Sequence, residues 1–288
     1  MTSHLLGQLL REASAYLQRQ QVDSPQLSAE LLLARAGGLR RLDVLVRPEM
    51  ELDTDKVETF RELIRKRGRG EPVAYLLERK EFYGREFEVG PQVLVPRPET
   101  ELIVDECKQL LPSDAHLRIA DICTGSGNLG VTLCAEFPGS LCVMADISHQ
   151  ALQIALRNAT RHGVAERILP VRQDLASALK PESVELAVCN PPYISVEDYP
   201  ALDPEVVQFE PRIALNGGRA GLEAVRRAVG TIADSLVPGG YFVMETGRDQ
   251  ARLIAHEMRS SVTVWQKVSV HTDLRGEDRF LSAQRVWL

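Results

Sequence analysis

Asn190-Pro191-Pro192-Tyr193 is the stretch whose residue types imply chemistry most directly. It closes Val184-Glu185-Leu186-Ala187-Val188-Cys189, a short apolar run rich in β-formers that reads as a buried strand. Asn190 is therefore expected at a strand's carboxyl edge. A proline disfavours the α region for the residue before it and carries no N–H. Pro191 thus holds Asn190 extended and Pro192 holds Pro191 extended, which makes a stiff loop whose carbonyls and Asn190 amide point one way. Such a loop suits a planar NH2 group, because the Asn190 side-chain oxygen and the Pro191 carbonyl can accept its two hydrogens together. An amide or aniline-like nitrogen is a poor nucleophile, since its lone pair is delocalised. Two acceptors orient it and stabilise the positive charge it gains on attack, while Tyr193 supplies a wall for a flat group. Pro-Pro alone marks a turn; the flanking asparagine and aromatic make this one a candidate site.

A second motif follows another predicted strand, Leu117 to Ile122. In Asp121-Ile122-Cys123-Thr124-Gly125-Ser126-Gly127-Asn128-Leu129-Gly130 the glycines satisfy G-x-G-x-x-G, and Asp146 lies at the distance expected of a ribose-binding acid. A dinucleotide fold uses such glycines to bring backbone N–H groups to a pyrophosphate; an S-adenosylmethionine fold uses them to approach the cofactor's amino-acid end and ribose. A tight turn with no ligand is the third reading. The partner motif separates them: a hydride transferase has no use for twin acceptors aimed at an NH2 group, whereas a methyltransferase must hold a weak nitrogen nucleophile against a sulfonium methyl. Both motifs lie at carboxyl ends of strands, where open α/β sheets bind ligands. Methyl transfer is the reading that uses both.

The elements that must position these loops are legible as a change of pattern along the chain. Leu5, Leu6, Leu9, Leu10 and Leu17, then Leu27, Leu31, Leu32 and Leu39, then Val57, Phe60, Leu63 and Ile64 recur at helical spacing. Ser24-Pro25 reads as an N-cap with proline at N1. The third run ends in Arg65-Lys66-Arg67-Gly68-Arg69-Gly70, which reads first as a solvated basic helix end and second as a docking surface for an acidic partner or RNA. Phe82 to Val89, Gly90-Pro91 and Val93 to Val95 read as a hairpin joining two domains. Pro96-Arg97-Pro98-Glu99-Thr100-Glu101 then stiffens the entry to a helix from Thr100 to Leu111. Beyond Ser113 strand and helix alternate, which predicts a largely parallel sheet covered on both faces. Strands are expected over Leu141 to Ala145, Ile168 to Val171, Val184 to Cys189 and Tyr241 to Glu245. Val264 to Val270 and Phe280 to Ala283 form the closing pair, and Ser148 and Gly163 cap and stop one helix. The expected boundaries are residues 1–80 for a helical substrate-recognition domain, 81–97 for a hairpin linker and 98–288 for the methyltransferase domain.

At 288 residues, 44% hydrophobic and 26% charged, the chain has the composition of a globular protein large enough for two domains. Its net charge of −6 gives no general attraction to nucleic acid or to an anionic membrane. Cys107, Cys123, Cys134, Cys142 and Cys189 include no C-x-x-C pair and suit a reducing compartment, and the six histidines lack metal-ligand spacing. No signal peptide and no run of about 20 apolar residues is seen. A cytoplasmic monomer with a protein partner, and with no metal, nucleic acid or membrane, is the expectation.

Taken together, several runs resemble the HemK/PrmC family of release factor glutamine methyltransferases. They are Pro96 to Glu101, the loop Asp121 to Gly127, Asn190-Pro191-Pro192-Tyr193-Ile194, and Phe209-Glu210-Pro211-Arg212-Ile213-Ala214-Leu215 with Gly217-Gly218. Glu71 to Leu76, Glu81 to Gly84, and Asp273-Leu274 with Gly276 and Arg279 extend the likeness over nearly the whole chain. Asn-Pro-Pro-Tyr alone is shared with DNA adenine methyltransferases; its combination with the Pro96 to Glu101 run is far more specific. The resemblance implies an α/β chain, with a five-helix-like amino-terminal domain, a hairpin linker and a Rossmann-like, seven-stranded S-adenosyl-L-methionine-dependent domain. It implies N5-methylation of the glutamine in the Gly-Gly-Gln loop of class I peptide chain release factors. Cys123, Thr124, Gly125, Ser126 and Gly127 would line the cofactor, with Asp146 on its ribose and Leu175 by the adenine. Asn190 would touch cofactor and substrate, and Pro191, Pro192 and Tyr193 would hold the glutamine.

Two positions depart from the family pattern. Cys123 stands where glycine is common, which a residue with a Cβ tolerates at negative φ. Thr246 follows Glu245 where a bulkier or apolar residue is more usual. The mechanism expected is direct in-line displacement, with Glu99 and Glu210 as candidates for proton uptake beside solvent. A ribosomal-protein glutamine methyltransferase, an adenine N6 methyltransferase and a non-catalytic binding module are the alternatives.

Overall fold

The computed structural model describes residues 4–287. In chain order the elements are α1 (Leu6–Arg19), α2 (Pro25–Gly37), α3 (Arg41–Val46), α4 (Thr54–Gly68), α5 (Val73–Leu77), β1 (Arg79–Phe82), β2 (Arg85–Glu88), α6 (Glu101–Leu110), β3 (Arg118–Ile122), α7 (Asn128–Glu136), β4 (Leu141–Asp146), α8 (His149–Arg161), β5 (Ile168–Arg172), β6 (Val184–Cys189), α9 (Pro204–Phe209), α10 (Glu223–Ser235), β7 (Leu236–Glu245), α11 (Ala251–Ser260), β8 (Trp265–Thr272) and β9 (Asp278–Arg285). The chain divides into two compact units. One runs to Arg79 and includes Asp203–Phe209; the other comprises Lys80–Leu202 and the chain from Glu210 onward.

The helical unit buries one stripe from each of its longer helices. Leu6, Leu9, Ala13 and Leu17 of α1 meet Ala29, Leu32 and Leu33 of α2 and Val57, Phe60 and Ile64 of α4, at the three- and four-residue spacing that puts side chains on one helix face. Three details differ from the sequence reading. Leu27 is exposed, and small Ala29 takes the inner position in α2. Ser24 adopts a left-handed backbone with φ of 48° and makes no side-chain cap, although Pro25 does open the helix. Arg67 of the basic run is buried rather than solvated: it pairs with Glu205 of α9 and donates to the Glu71 carbonyl at 2.9 Å. Its donors are taken up by that pairing, while Arg65, Lys66 and Arg69 stay exposed.

In the larger unit β1 and β2 form a hairpin whose turn is Tyr83-Gly84, not Gly90-Pro91. Both turn residues have positive φ, 51° and 67°, as a two-residue hairpin turn matched to strand twist requires. The main sheet is seven-stranded in the order β5-β4-β3-β6-β7-β9-β8, with β3 to β7 parallel and β9 antiparallel to both β7 and β8. Alternate residues face opposite sides. Ile119, Leu186, Val188 and Val243 pack against α6, α7 and α8, while Ala120, Ile122, Ala187, Cys189, Phe242 and Met244 pack against α10 and α11. That double cover explains the near-continuous apolar runs of β3 and β6. This is a seven-stranded, Rossmann-like α/β arrangement. Among the described residues no helix is long and apolar enough to cross a membrane, and the five cysteines are unbridged.

One buried polar side chain fastens the hairpin to the loop after β3. Asn158, on α8, accepts from the Glu88 N–H at 2.7 Å and donates to the Glu88 carbonyl at 3.0 Å and the Ser126 carbonyl at 2.8 Å. It has no exposed surface, so each broken bond would strand a backbone group away from water. Asn158→Leu is expected to destabilise the chain by roughly 2–5 kcal/mol. Urea unfolding measures this, and an unchanged midpoint would contradict the account.

Candidate active site

The site is set by where three neighbouring strands end. Ile122 of β3 is the register partner of Cys189 of β6, and Cys189 is the partner of Met244 of β7. The next residues, Cys123, Asn190 and Glu245, therefore emerge side by side at the carboxyl edge. The strand order turns back here, with β4 and β5 on one side of β3 and β6 and β7 on the other. Open sheets of this kind have their crevice at that point. A cavity lies there, lined by residues that include Thr100, Asp121, Cys123, Thr124, Gly125, Ser126, Asp146, Leu175, Asn190, Pro192 and Asn216.

The loop after β3 is held by two carboxylates. Asp121 accepts through Oδ2 from the Thr124 hydroxyl and from the Gly130 N–H at 2.8 Å. Its Oδ1 is buried without a partner. Burial pushes the Asp121 carboxyl up to about 7, against the Thr124 and Gly130 hydrogen bonds that favour its charge. Asp146 accepts from the Gly125 N–H at 3.0 Å and the Ser148 N–H at 2.8 Å, and burial raises it as well. Gly125 and Gly127 have φ of 55° and 80°, the region glycine enters without strain. A Cβ at Gly127 would stand 3.0 Å from that of Ala155, so Gly127 serves the packing of α7 on α8 and does not line the cavity. Cys123 also has a positive φ, 59°, so the condition that would make a Cβ harmless there is not met. Leu175 is likewise left-handed, with φ of 54°.

On the other side of the cavity, the Asn190 amide nitrogen donates to Glu245 Oε2 at 3.1 Å and to Thr100 Oγ1 at 3.3 Å. Thr100 donates to the same Oε2 at 2.5 Å, and the Tyr193 hydroxyl donates to Oε1 at 2.9 Å. Glu245 is buried, which raises its carboxyl despite these donors, and the Tyr193 hydroxyl beside that charge is held well above its ordinary value. Asn190 and Pro192 line the cavity; Pro191 and Tyr193 are absent from its wall. Glu210 is not a surface group: it is buried, accepts from the Val95 N–H at 3.1 Å and pairs with Arg97. Its oxygens are thus engaged in holding the Pro96 to Glu101 run.

Of the residues singled out from sequence, Cys123, Thr124, Gly125, Ser126, Asp146, Leu175, Asn190 and Pro192 are brought together. Asp121, Thr100 and Glu245 are further buried polar groups of this site, to which the sequence reading attaches no role. For Asp121 and Glu245 the available signal is an acidic residue in the last two positions of an apolar strand, which a packed sheet tolerates only with partners; Thr100 carries no such signal.

Comparison with known proteins now decides the family. Residues 8–77 match the model of the PrmC N-terminal domain, and residues 100–208 match the methyltransferase small domain. The release factor glutamine methyltransferase of Nitratidesulfovibrio vulgaris is 42% identical over 99% of this chain and 97% of its own. That of Koribacter versatilis is 37% identical over 97% and 98%. The chain belongs to the release factor glutamine methyltransferase family. Among solved structures, the catalytic domain of hMettl16 in complex with MAT2A 3'UTR hairpin 6 superposes with a TM-score of 0.56 at 16% identity, covering 70% of this chain and 75% of that one. A methyltransferase from Pyrococcus furiosus gives 0.52 at 16% identity, covering 72% and 92%. These two likenesses concern the fold alone. The protein is a methyltransferase, and S-adenosyl-L-methionine is its cofactor.

Two outcomes follow from this geometry. Asp121 ionises near pH 3.8 when unfolded but near 7 when folded, so its contribution to stability is full below about pH 4 and is lost as pH rises to about 7. Asp121→Asn should remove up to about 4 kcal/mol of that fall, seen by comparing pH profiles of urea unfolding without cofactor; parallel profiles would contradict the assignment. At Cys123, glycine should be nearly neutral and valine should cost roughly 1–3 kcal/mol in the same measurement, because a β-branched side chain suits the left-handed region least.

Proposed function

We propose that this protein transfers the methyl group of S-adenosyl-L-methionine to the side-chain amide nitrogen, N5, of the glutamine in the Gly-Gly-Gln motif of class I peptide chain release factors. The observation that carries this reading is the pairing of the glycine loop with Asn190 at one level of the sheet edge, in a chain whose relatives bear the name of that activity. We assign the helical unit, residues 1–80, to substrate recognition, and residues 81–97 and 98–288 to linker and catalytic domain. We take the protein to act as a cytoplasmic monomer on a protein partner, without nucleic acid or membrane.

The residues present suit the cofactor. The unpartnered, buried Asp121 Oδ1 offers a cation-seeking acceptor of the kind an ammonium group satisfies. Asp146 accepts one N–H on each oxygen, which leaves lone pairs for ribose hydroxyls. Space beside Gly125 lets backbone approach the ligand, and Cys123, Thr124, Ser126 and Leu175 complete the wall. The bound cofactor supplies an electrophilic methyl group on a positively charged sulfur. Asn190 Oδ1 and the Pro191 carbonyl hold the two hydrogens of the glutamine NH2, while Pro192 and Tyr193 keep that loop rigid. Holding the nitrogen in line is worth roughly 7–11 kcal/mol of the barrier. With the cofactor bound, a carbon–nitrogen bond would form as the carbon–sulfur bond breaks, and the nitrogen held by Asn190 and the Pro191 carbonyl would release a proton to solvent. Since Glu210 is tied to Arg97 and Val95, it is not used as the proton acceptor.

The test is mass spectrometry of a release factor after incubation with protein and cofactor. One added methyl on the glutamine of the Gly-Gly-Gln peptide is expected, and methyl incorporation into DNA or RNA with none into the factor would replace this reading with the adenine one. Asn190→Ala should lower kcat by about 10²–10³-fold, by analogy with loss of one preorganised hydrogen-bonding group. Undiminished turnover in that variant would remove Asn190 from the mechanism.

A further inference from the structure

An asparagine side chain has two ends of nearly the same shape and opposite chemistry, one accepting and one donating hydrogen bonds. The proposed reaction needs the accepting end toward the substrate, since an NH2 facing the substrate's NH2 would repel it. Nothing within Asn190 itself makes that choice. The proline-locked backbone fixes where the carboxamide is, not which way round it lies.

The choice is made by the groups behind it. We propose that Glu245, with Thr100, is a positioning residue that fixes the Asn190 carboxamide with its oxygen toward the substrate. This deepens the glutamine methyltransferase reading and rests on it. An ionised carboxylate only accepts hydrogen bonds, so whichever end of Asn190 meets Glu245 must be the donor. Asn190 Nδ2 lies 3.1 Å from Glu245 Oε2. Thr100 Oγ1 donates to that oxygen at 2.5 Å and has its lone pairs left for Asn190 Nδ2 at 3.3 Å. Both partners therefore ask for the amide nitrogen, and a flipped carboxamide would set Oδ1 against the Glu245 oxygen. The second carboxylate oxygen is held by the Tyr193 hydroxyl at 2.9 Å, so Glu245 cannot swing away without losing the residue that ends the same loop. Glu245 and Thr100 are both buried, which removes water as a substitute partner. Backbone register places them: Glu245 follows Met244, the partner of Cys189, and so stands next to Asn190. The Pro96 to Glu101 run and the Asn190 loop, distant in sequence, are thereby parts of one device.

The variants Glu245→Ala, Glu245→Gln, Thr100→Val and Thr100→Ser separate orientation from simple stability. Glutamine at 245 keeps one accepting oxygen for Asn190, while its NH2 can donate to the Tyr193 hydroxyl. Alanine keeps neither. Glu245→Ala should therefore lower kcat by about 100-fold, with cofactor Kd and the KM for release factor within about threefold of wild type. Glu245→Gln should stay within about tenfold of wild type, and Thr100→Ser should restore most of what Thr100→Val loses. A second readout needs no substrate: in protein labelled with 15N at asparagine, the Asn190 side-chain NH2 protons should exchange with water slowly in wild type and in Glu245→Gln. In Glu245→Ala they should exchange at least about tenfold faster. If Glu245→Ala fails to fold, the comparison of Glu245→Gln with Thr100→Val and Thr100→Ser decides. Equal damage from glutamine and alanine would show that charge, not orientation, is what Glu245 supplies, and would overturn the proposal. So would unchanged exchange or unchanged kcat in Glu245→Ala. A wild-type protein that methylates no glutamine would defeat the proposed function instead, while the exchange measurement would still report whether Glu245 fixes the amide.

Discussion

The shared register of β3, β6 and β7 is the constraint on which the site depends. Parallel strands carry one hydrogen-bond ladder at even spacing, so a one-residue slip in β6 would move Asn190 along the edge and turn its neighbours to the wrong face. The register is held because both faces are packed. Ile119, Leu186 and Val243 bury one side and Ala120, Ala187 and Phe242 the other, so a slip would expose or overpack both cores at once. Loops that carry chemistry thus begin level because the apolar residues beneath them leave no alternative.

Three buried carboxylates stand in and behind the cavity wall. Asp121, Asp146 and Glu245 are each raised by burial, and each is given N–H or O–H donors by the loop it supports. The same hydrogen bonds define loop shape. Gly125 is tied to Asp146, Gly130 and Thr124 to Asp121, and Asn190, Thr100 and Tyr193 to Glu245. Burying carboxylates costs free energy that uncharged side chains would avoid. What they provide is a fixed direction for each donor around them. Left-handed Cys123 and Leu175 on the same wall add local strain where the ligand is proposed to sit, the usual location for it.

The chain by itself determined a good deal. The apolar run before Asn190, the glycine spacing after Asp121 and the alternation of strand and helix beyond Ser113 were enough for the α/β class, the methyltransferase reading and part of the cavity wall. These signals are local: hydrophobic period, proline restriction and glycine freedom act within a few residues. The exceptions arose where local signals compete. Ser24 and Pro25 look like a helix start and are one, yet the serine does not cap it. Gly90-Pro91 looks like a turn, but Tyr83-Gly84 makes it, because there, and not at Gly90-Pro91, two successive residues take positive φ.

Only the tertiary structure decided which charges are buried and whom they serve. Arg67 sits in a basic run that reads as solvated, and Glu205, more than a hundred residues later, takes it inside. What Glu210, Thr100 and Glu245 hold could not be read locally, because their partners come from other strands and loops. The direction of the Asn190 amide belongs to the same class. Asn190-Pro191-Pro192-Tyr193 specifies a rigid backbone, but which end of a carboxamide faces the cavity depends on a carboxylate brought alongside by the pairing of β6 with β7. Hydrogen bonds of that kind are long-range in sequence and short-range in space, and so they are set by the fold and not by the motif.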